Sequence, residues 1–358
     1  MGVGAGLALM PRVGLGQQQP TAEKVWLELL EYARWCPSPH NTQPWKLQPL
    51  SVTQAAFYYD PTRLLPHTDT NSAFMTVALG MFLECLRVAA APRGLALRVE
   101  HEPEPQLQFT GTVPRLFATL YLEPASAGAV ATPGRELLRQ RCTSRLPYSG
   151  RPVAAAHLQA LTEQAAAQGH SFQHSSEPGF VEFVLDLNRQ TLFSDLDDAG
   201  TRQEIARWIR TTDAEAQERQ DGLWNRCMHF PGRLMRNFFT HHERFRAAWK
   251  RRILGQVYVH SMHGTSTVAW LQGPFGNRAE WLAAGTLLQQ LWLHMTQQGL
   301  YLHPFGSVVT NPEAHARFLA RARPESGQPL WLLLRLGYSA EPPRSLRLPA
   351  SALLLPVA

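Results

Sequence analysis

The segment ALGMFLECLRVAAAPRGLALRV, residues 78–99, aligns without a gap on AAGTLLQQLWLHMTQQGLYLHP, residues 283–304. In each copy, apolar residues recur at helical spacing between a glycine near the start and a Gly-Leu pair fourteen residues later. The four glycines are Gly80 and Gly94 in the first copy and Gly285 and Gly299 in the second. Any two buried helices can look alike, but shared glycines at both ends favour an internal duplication. The pattern predicts two amphipathic helices that each end at a glycine cap and lead into a strand.

The elements around the two copies predict an α+β fold built from two related halves. A helix at 23–34 and strands near 55–59 and 116–122 surround the first copy. A short helix at 313–322 and an apolar strand at 329–337 follow the second copy. Both copies therefore have strands on either side of a long helix.

The stretch PASAGAVATPG, residues 124–134, is made of small residues between prolines and is the predicted linker. We expect a first half at 21–130 and a second half at 131–350, which carries a helical, lid-like insertion at about 194–263. Residues 1–20 are expected to be a flexible terminus or the remnant of a signal peptide. The expected location is the cytoplasm, with export possible if the remnant is real.

The composition is that of an ordinary globular protein, with 44% hydrophobic and 17% charged residues. The net charge is +6, and twelve basic residues fall between Arg202 and Arg252. Acidic residues are interleaved with them, so a solvated helical surface and an anion-binding surface are both open interpretations. Because no nucleic-acid-binding motif accompanies the charge, we expect no nucleic-acid partner.

Two other kinds of site are not indicated. The four cysteines are widely spaced, without a CxxC pair, which argues against a disulfide framework: Cys36, Cys85, Cys142 and Cys227. No metal site is expected at His241, His242 and Glu243, because adjacent histidines on a helix point to different faces. The apolar run at 281–295 is too short to span a bilayer, so we expect no membrane span.

The first motif with chemical potential is CPSPHNTQPW, residues 36–45, at the end of the first helix. Its prolines restrict the backbone and predict a stiff turn that presents Pro37, Ser38 and Asn41 rigidly. An asparagine amide offers both a donor and an acceptor, which suits the edge of a planar heterocycle. The alternative is a plain helix-terminating turn with Trp45 as part of the core.

The second motif is RCTSRLPYSGRPV, residues 141–153. Arg141, Thr143 and Arg145 alternate, so in an extended segment their side chains share one side. Two guanidinium groups and a hydroxyl form a suitable clamp for phosphate. The alternative is a solvated basic linker.

The third motif is LRLGYSAEPPRSLRLP, residues 334–349, after the last predicted strand. Arg344 and Arg347 follow a Pro-Pro turn, and they can reach back to the same anion. Basic tails are common, so this motif gains meaning only beside the other two.

Together the three motifs resemble the nitroreductase superfamily. In that family an Arg-Ser-Arg cluster and terminal basic residues hold the phosphate of FMN, while a Pro-Ser-Asn turn reaches the flavin from the partner subunit. Here the turn lies only in the first half and the arginines only in the second. The chain is therefore similar to the double-length Acg-like branch, which DGLW at 221–224 also resembles. The resemblance implies a nitroreductase-like fold, an intramolecular pseudo-dimer around central helices, with one FMN.

The chain departs from the family pattern at four positions. Cysteine replaces a common alanine at Cys36 and a common arginine at Cys142, and Pro39 and Thr143 each replace a serine. These changes leave four arginines for about two negative charges. By resemblance, the backbone at Pro304 and Gly306 would lie near the flavin, since glycine allows close approach.

The function implied is an FMN-dependent oxidoreductase that takes hydride from NAD(P)H and reduces a nitroaromatic, a quinone or a similar acceptor. The cofactor carries the chemistry, so no catalytic side chain is expected. The alternative is an FMN-binding, sequestering or sensing protein whose insertion closes the site. Either a monomer or a homodimer is compatible with both halves being present in one chain.

Overall fold

The computed structural model describes residues 21–103, 106–126, 133–323 and 327–356. The predictions for residues 1–20 and for the middle of the linker, 127–132, lie outside the described residues.

The first part of the chain contains one long helix within a group of four strands. Its helices and strands are, in order, α1 (Ala22–Ala33), β1 (Trp45–Pro49), β2 (Gln54–Tyr59), α2 (Ala73–Ala90), β3 (Leu95–His101) and β4 (Arg115–Pro124). The predicted helix at 23–34 and the strands at 55–59 and 116–122 are confirmed to within two residues at each end.

The second part repeats this arrangement with additional helices. It contains α3 (Glu136–Gln140), α4 (Ala155–Ala166), β5 (Ser171–Ser175), α5 (Pro178–Asp195), α6 (Ala199–Trp208), β6 (Ile209–Arg210), α7 (Asp213–Arg219), β7 (Leu223–Trp224), α8 (Gly232–Thr240), α9 (Ala248–His260), β8 (Thr267–Gln272), α10 (Arg278–Gln297), β9 (Tyr301–Pro304), α11 (Gly306–Thr310), α12 (Pro312–Ala322) and β10 (Leu330–Gly337). The stretch 194–263 is mainly helical, in keeping with its sequence.

The two four-stranded sheets have the same topology. Their strand orders are β1-β2-β4-β3 and β5-β8-β10-β9, and every neighbouring pair in both is antiparallel. In each sheet the long helix connects the second strand of the chain to the third, as α2 or α10. The predicted α+β class is confirmed.

The long helices α2 and α10 pack against each other through their glycines. A Cβ atom on Gly80 would lie 2.4 Å from the carbonyl oxygen of Leu282, and one on Gly285 would lie 2.1 Å from that of Val77. Real Cβ atoms do not approach oxygen so closely, so both positions require glycine. The distal glycines of the repeat, Gly94 and Gly299, have φ of 67° and 69° and end the two helical segments, as predicted.

Helix α2 is buried on all sides rather than amphipathic. Every residue of α2 except Phe74 and Arg87 is buried, because α1, α10 and the first sheet surround it. The segment Ala73–Arg93 is long and apolar enough to cross a membrane by length and composition, yet 89% of that window is inside the protein. Its composition is explained by its place in the core.

Helix α1 positions the first motif. The Thr21 hydroxyl accepts a hydrogen bond from the Lys24 amide at its start, and apolar residues from Val25 to Ala33 bury one face. The helix ends at Ala33, before Pro37, which cannot donate a backbone hydrogen bond. The 36–45 turn is therefore fixed to the core at its origin.

We expect Gly285→Ala to lower the free energy of unfolding by about 3 kcal/mol, because the added methyl group overpacks the crossing of α2 and α10. Chemical denaturation measures the change. The matched control is Gly134→Ala, where a Cβ would meet nothing within 4 Å. Equal stability of the two variants would contradict the close crossing.

Candidate functional site

The turn after α1 has an unusual backbone. His40, Asn41 and Gln43 all have positive φ, at 49°, 55° and 51°, which non-glycine residues rarely adopt. The Ser38 hydroxyl accepts a hydrogen bond from the Gln43 amide at 2.9 Å, which closes the turn. Strained backbone of this kind persists only when the surroundings hold it, and it is concentrated at functional sites.

The insertion and the C-terminal segment hold this turn in place. The Asn41 amide nitrogen donates to the carbonyl oxygens of Gly222 and Leu346, both at 3.1 Å. Gln43 donates to the Gln220 carbonyl at 3.0 Å and accepts from the Leu348 amide at 2.9 Å. The Asn41 Oδ1 atom is buried without a hydrogen-bond partner. Three segments distant in sequence therefore meet at the turn and leave one acceptor free.

Asp221 fastens the insertion to the first half. Its carboxylate forms ion pairs with Arg63 at 3.1 Å and Arg210 at 2.6 Å, and it is buried. Arg63 also donates to the Thr42 carbonyl at 2.7 Å, inside the turn. A buried carboxylate between two guanidinium groups is a strong contact, because losing one partner leaves a buried charge unpaired.

Three of the four predicted arginines converge on the last turn of α1. Arg141 donates to the Trp35 carbonyl at 3.1 Å, and Arg347 donates to the Cys36 carbonyl at 3.3 Å. The Arg344 guanidinium lies 4.6 Å from the centre of the Trp35 ring. The second and third motifs are thus brought together beside the first.

This arginine cluster, Arg141, Arg344 and Arg347, has no bound carboxylate. Within the described residues, none of the three forms an ion pair, and Nε and Nη1 of Arg141 are buried without any hydrogen-bond partner. Burial lowers the pKa of all three, and repulsion from Arg141 helps to lower the pKa of Arg347 to about 9. Buried like charges without a counter-charge are costly, so the cluster is suited to an anion.

Arg145 has different surroundings. It donates to the Cys227 carbonyl of the insertion at 3.5 Å, and its charge helps to lower the pKa of His40 and of His303. Burial is the larger cause for both imidazoles, and the Nδ1 atom of each is buried without a partner. Thr143 pairs through its backbone with Leu302 and is partly buried. Arg145 therefore lies beside two neutral histidines rather than in the arginine cluster.

The segment that carries Arg145 is anchored by a buried arginine of β10. Arg335 donates to the carbonyl oxygens of Ser144 at 3.3 Å, Leu146 at 3.0 Å and Ser261 at 3.3 Å. These bonds tie the 144–146 stretch and the end of α9 to the second sheet. Arg335 therefore has a structural role.

Pro304 and Gly306 stand where β9 leads into α11. The Phe305 amide between them donates to the Leu333 carbonyl at 2.8 Å, which fixes the backbone, and Phe305 is fully buried. A Cβ on Gly306 would meet nothing within 4 Å, so there is open space beside it. His303, with its free Nδ1, precedes this corner on the same strand.

Sequence reasoning gave no role to several residues that shape the site. Gln43 lies within the quoted turn motif, and Asp221 within DGLW, but their partners Gln220, Arg63 and Arg210 are distant or unremarkable in sequence. The positive φ of His40 had no sequence signal apart from the neighbouring prolines. Among the described residues, no group of three or more His, Cys, Asp or Glu side chains is arranged to hold a metal.

We expect acidification to destabilise the protein through His40. Burial lowers its pKa from 6.5 to about 4, so between these values the unfolded chain binds a proton that the folded chain does not. The free energy of unfolding should therefore fall as pH drops from about 6.5 to about 4, by at most about 1.4 kcal/mol per pH unit from this group. His40→Gln should remove that part of the slope in denaturation curves. His263→Gln, at an exposed position, should retain it.

No protein-family model matches the chain, and no curated protein matches it. Solved structures of nitroreductase-like proteins do match. A nitroreductase-like family protein from Bacillus cereus is 15% identical, with 63% of this chain and 96% of that chain covered and a TM-score of 0.36. An FMN-bound nitroreductase from Bacteroides fragilis is 15% identical over 57% of this chain and 88% of that chain, with a TM-score of 0.32.

An FMN-dependent nitroreductase from Mycobacterium smegmatis, in complex with NADPH, is 17% identical over 57% of this chain and 86% of that chain, with a TM-score of 0.31. Because the identities and the TM-scores are both low, these similarities assign neither a family nor a function to the chain. Its function has to be inferred from its own residues.

Proposed function

We propose that this protein binds one FMN and acts as an NAD(P)H-dependent oxidoreductase of the nitroreductase type. The observation that carries the proposal is the buried arginine cluster, which has no counter-charge and lies beside a strained turn. FMN joins a dianionic phosphate to a planar ring with alternating donors and acceptors. Both kinds of partner are present here.

The arginine cluster fits the phosphate. Arg141 has two unsatisfied guanidinium nitrogens, and Arg344 and Arg347 supply two further positive charges. The Thr143 hydroxyl follows Arg141 at the alternating position. Each charge-assisted hydrogen bond contributes about 1.5–3 kcal/mol, and the phosphate would also remove the repulsion among the arginines.

The surrounding turn and strand corner fit the ring. Pro37 and Ser38 hold the turn, and Asn41 keeps an unpartnered Oδ1 that can accept from a ring N–H. Arg145 places a positive charge on the other side, next to the open space beside Pro304 and Gly306.

The two halves derive, in this proposal, from an internal duplication that forms an intramolecular pseudo-dimer around α2 and α10. The identical order of the two antiparallel sheets and the reciprocal glycines Gly80 and Gly285 support this. The turn comes from the first half and the arginines from the second. One chain thus supplies one complete site.

Bound FMN supplies two-electron chemistry, which connects NAD(P)H to a small acceptor such as a nitroaromatic or a quinone. The protein's residues bind and orient. The arginine cluster fixes the phosphate end, the turn fixes the ring edge, and the neutral His40 and His303 line a site with little water.

We expect Arg141→Gln to weaken FMN binding by roughly a hundredfold, because a charge-assisted bond to phosphate is lost. The apo protein should keep its stability, since the removed charge is buried and largely unpartnered. Titration of apo protein by flavin fluorescence measures the affinity.

The control is Arg139→Gln, which removes the same charge from an exposed side chain of α3. The visible spectrum of the purified protein tests the cofactor itself, and bleaching by NADH or NADPH without oxygen tests the enzyme. A colourless protein that FMN cannot reconstitute, or equal effects of the two substitutions, would refute the proposal.

The second candidate function is sequestering or sensing of FMN with little turnover. It is favoured by the contacts of the insertion with both parts of the site, at Asn41 through Gly222 and at Arg145 through Cys227. An insertion held in this way can exclude a second substrate. The bound flavin would then be reduced slowly or not at all.

Asp221→Asn distinguishes the two functions, because it weakens the pairs to Arg63 and Arg210 that fasten the insertion. If the insertion closes the site, we expect the rate of flavin reduction by NADPH to rise by roughly tenfold or more. Stopped-flow absorbance measures this rate. Asp213→Asn, whose ion pair with Arg226 lies within the insertion, is the control. Rapid reduction of the unsubstituted protein would eliminate the sequestering function.

A further inference from the structure

Helix α9 exposes a continuous apolar stripe. Trp249, Ile253 and Val257 are 63%, 51% and 41% exposed, and their spacing of four residues places them on one face. Val259, also exposed, lies on the same helix. Half of the exposed large hydrophobic side chains of the described residues are therefore on one helix of 13 residues. Scattered exposed residues need no explanation, but a stripe of this kind marks an interaction surface.

The stripe is bordered by positive charge. Helix α9 contains Lys250, Arg251 and Arg252 and no acidic residue. Arg251 pairs with Asp197, whereas no ion pair within the described part of the chain involves Lys250 or Arg252. At about 100° per residue, Lys250 and Arg252 fall on opposite sides of the stripe. Two unpaired cations therefore flank the apolar face.

These features argue against two bland explanations. The inner side of α9 is already packed, with Leu254 buried and Tyr258 hydrogen-bonded by Asn188, so the stripe is not a displaced core face. A symmetric contact with a second copy would place each flanking cation opposite cations of the same stripe. Such repulsion disfavours a homodimer through this face.

We propose that α9 docks the protein on an anionic membrane surface, with its axis parallel to the bilayer. Trp249, Ile253 and Val257 enter the boundary between headgroups and acyl chains, and tryptophan favours that depth. Lys250 and Arg252 extend sideways to lipid phosphates while their methylene groups stay apolar. This surface is separate from the proposed FMN site, so it adds membrane recruitment to the proposed function.

The test is co-sedimentation of the full chain with phosphatidylcholine vesicles, with and without phosphatidylglycerol. We expect binding that requires the anionic lipid and weakens with salt. Trp249→Ser with Ile253→Ser should weaken it by about tenfold or more, because the buried apolar area is lost. The matched control, Val113→Ser with Leu50→Ser, removes two exposed apolar side chains elsewhere and should bind as the unsubstituted protein does.

The charge arm compares Lys250→Gln with Arg252→Gln against Arg219→Gln with Arg233→Gln, two exposed arginines of the same insertion outside α9. Only the first pair should lose binding to the anionic vesicles by several-fold. Equal losses would show non-specific attraction and overturn the proposal. So would binding without anionic lipid, no binding at all, or a dimer in light scattering that the Trp249 and Ile253 substitutions dissociate.

Discussion

The close crossing of α2 and α10 is the constraint on which the other contacts depend. Two glycines allow the backbone of each helix to touch the other, with no side chain between them. The first sheet and α1 pack around α2, while the second sheet packs around α10. Arg141 lies between these parts, with its guanidinium 4.4 Å from the centre of the Trp292 ring of α10 and bonded to Trp35 at the end of α1. A change in the crossing would therefore move the arginine cluster relative to the turn.

The sequence indicated the features that depend on local chemistry. Glycine caps, proline turns and apolar strands follow from backbone preferences, so the repeat helices and most strand positions were predicted correctly. The environment of α2 was not predicted. Its repeat copy has a helical period, but burial on every side depends on three other elements that the period does not reveal.

The candidate site could be predicted as motifs but not as a set of contacts. Each motif was recognised from residues close together in the chain. The alternation of Arg141, Thr143 and Arg145 suggested one common clamp, yet Arg145 lies beside His40 and His303 and Arg141 lies with the terminal arginines. The pairing of Asp221 with Arg63 spans 158 residues, and no local pattern encodes such a partner.

The bond from Asn41 to the Leu346 carbonyl closes a loop of 305 residues, and this has a consequence for biosynthesis. A ribosome makes the turn early and the terminal arginines almost last. The nascent chain therefore carries the turn for most of its synthesis without the partner that completes it, and contacts of such long sequence separation form slowly. Any ligand of this site must consequently be captured after the chain leaves the ribosome, and truncation near the C-terminus would abolish capture even where both sheets remain intact.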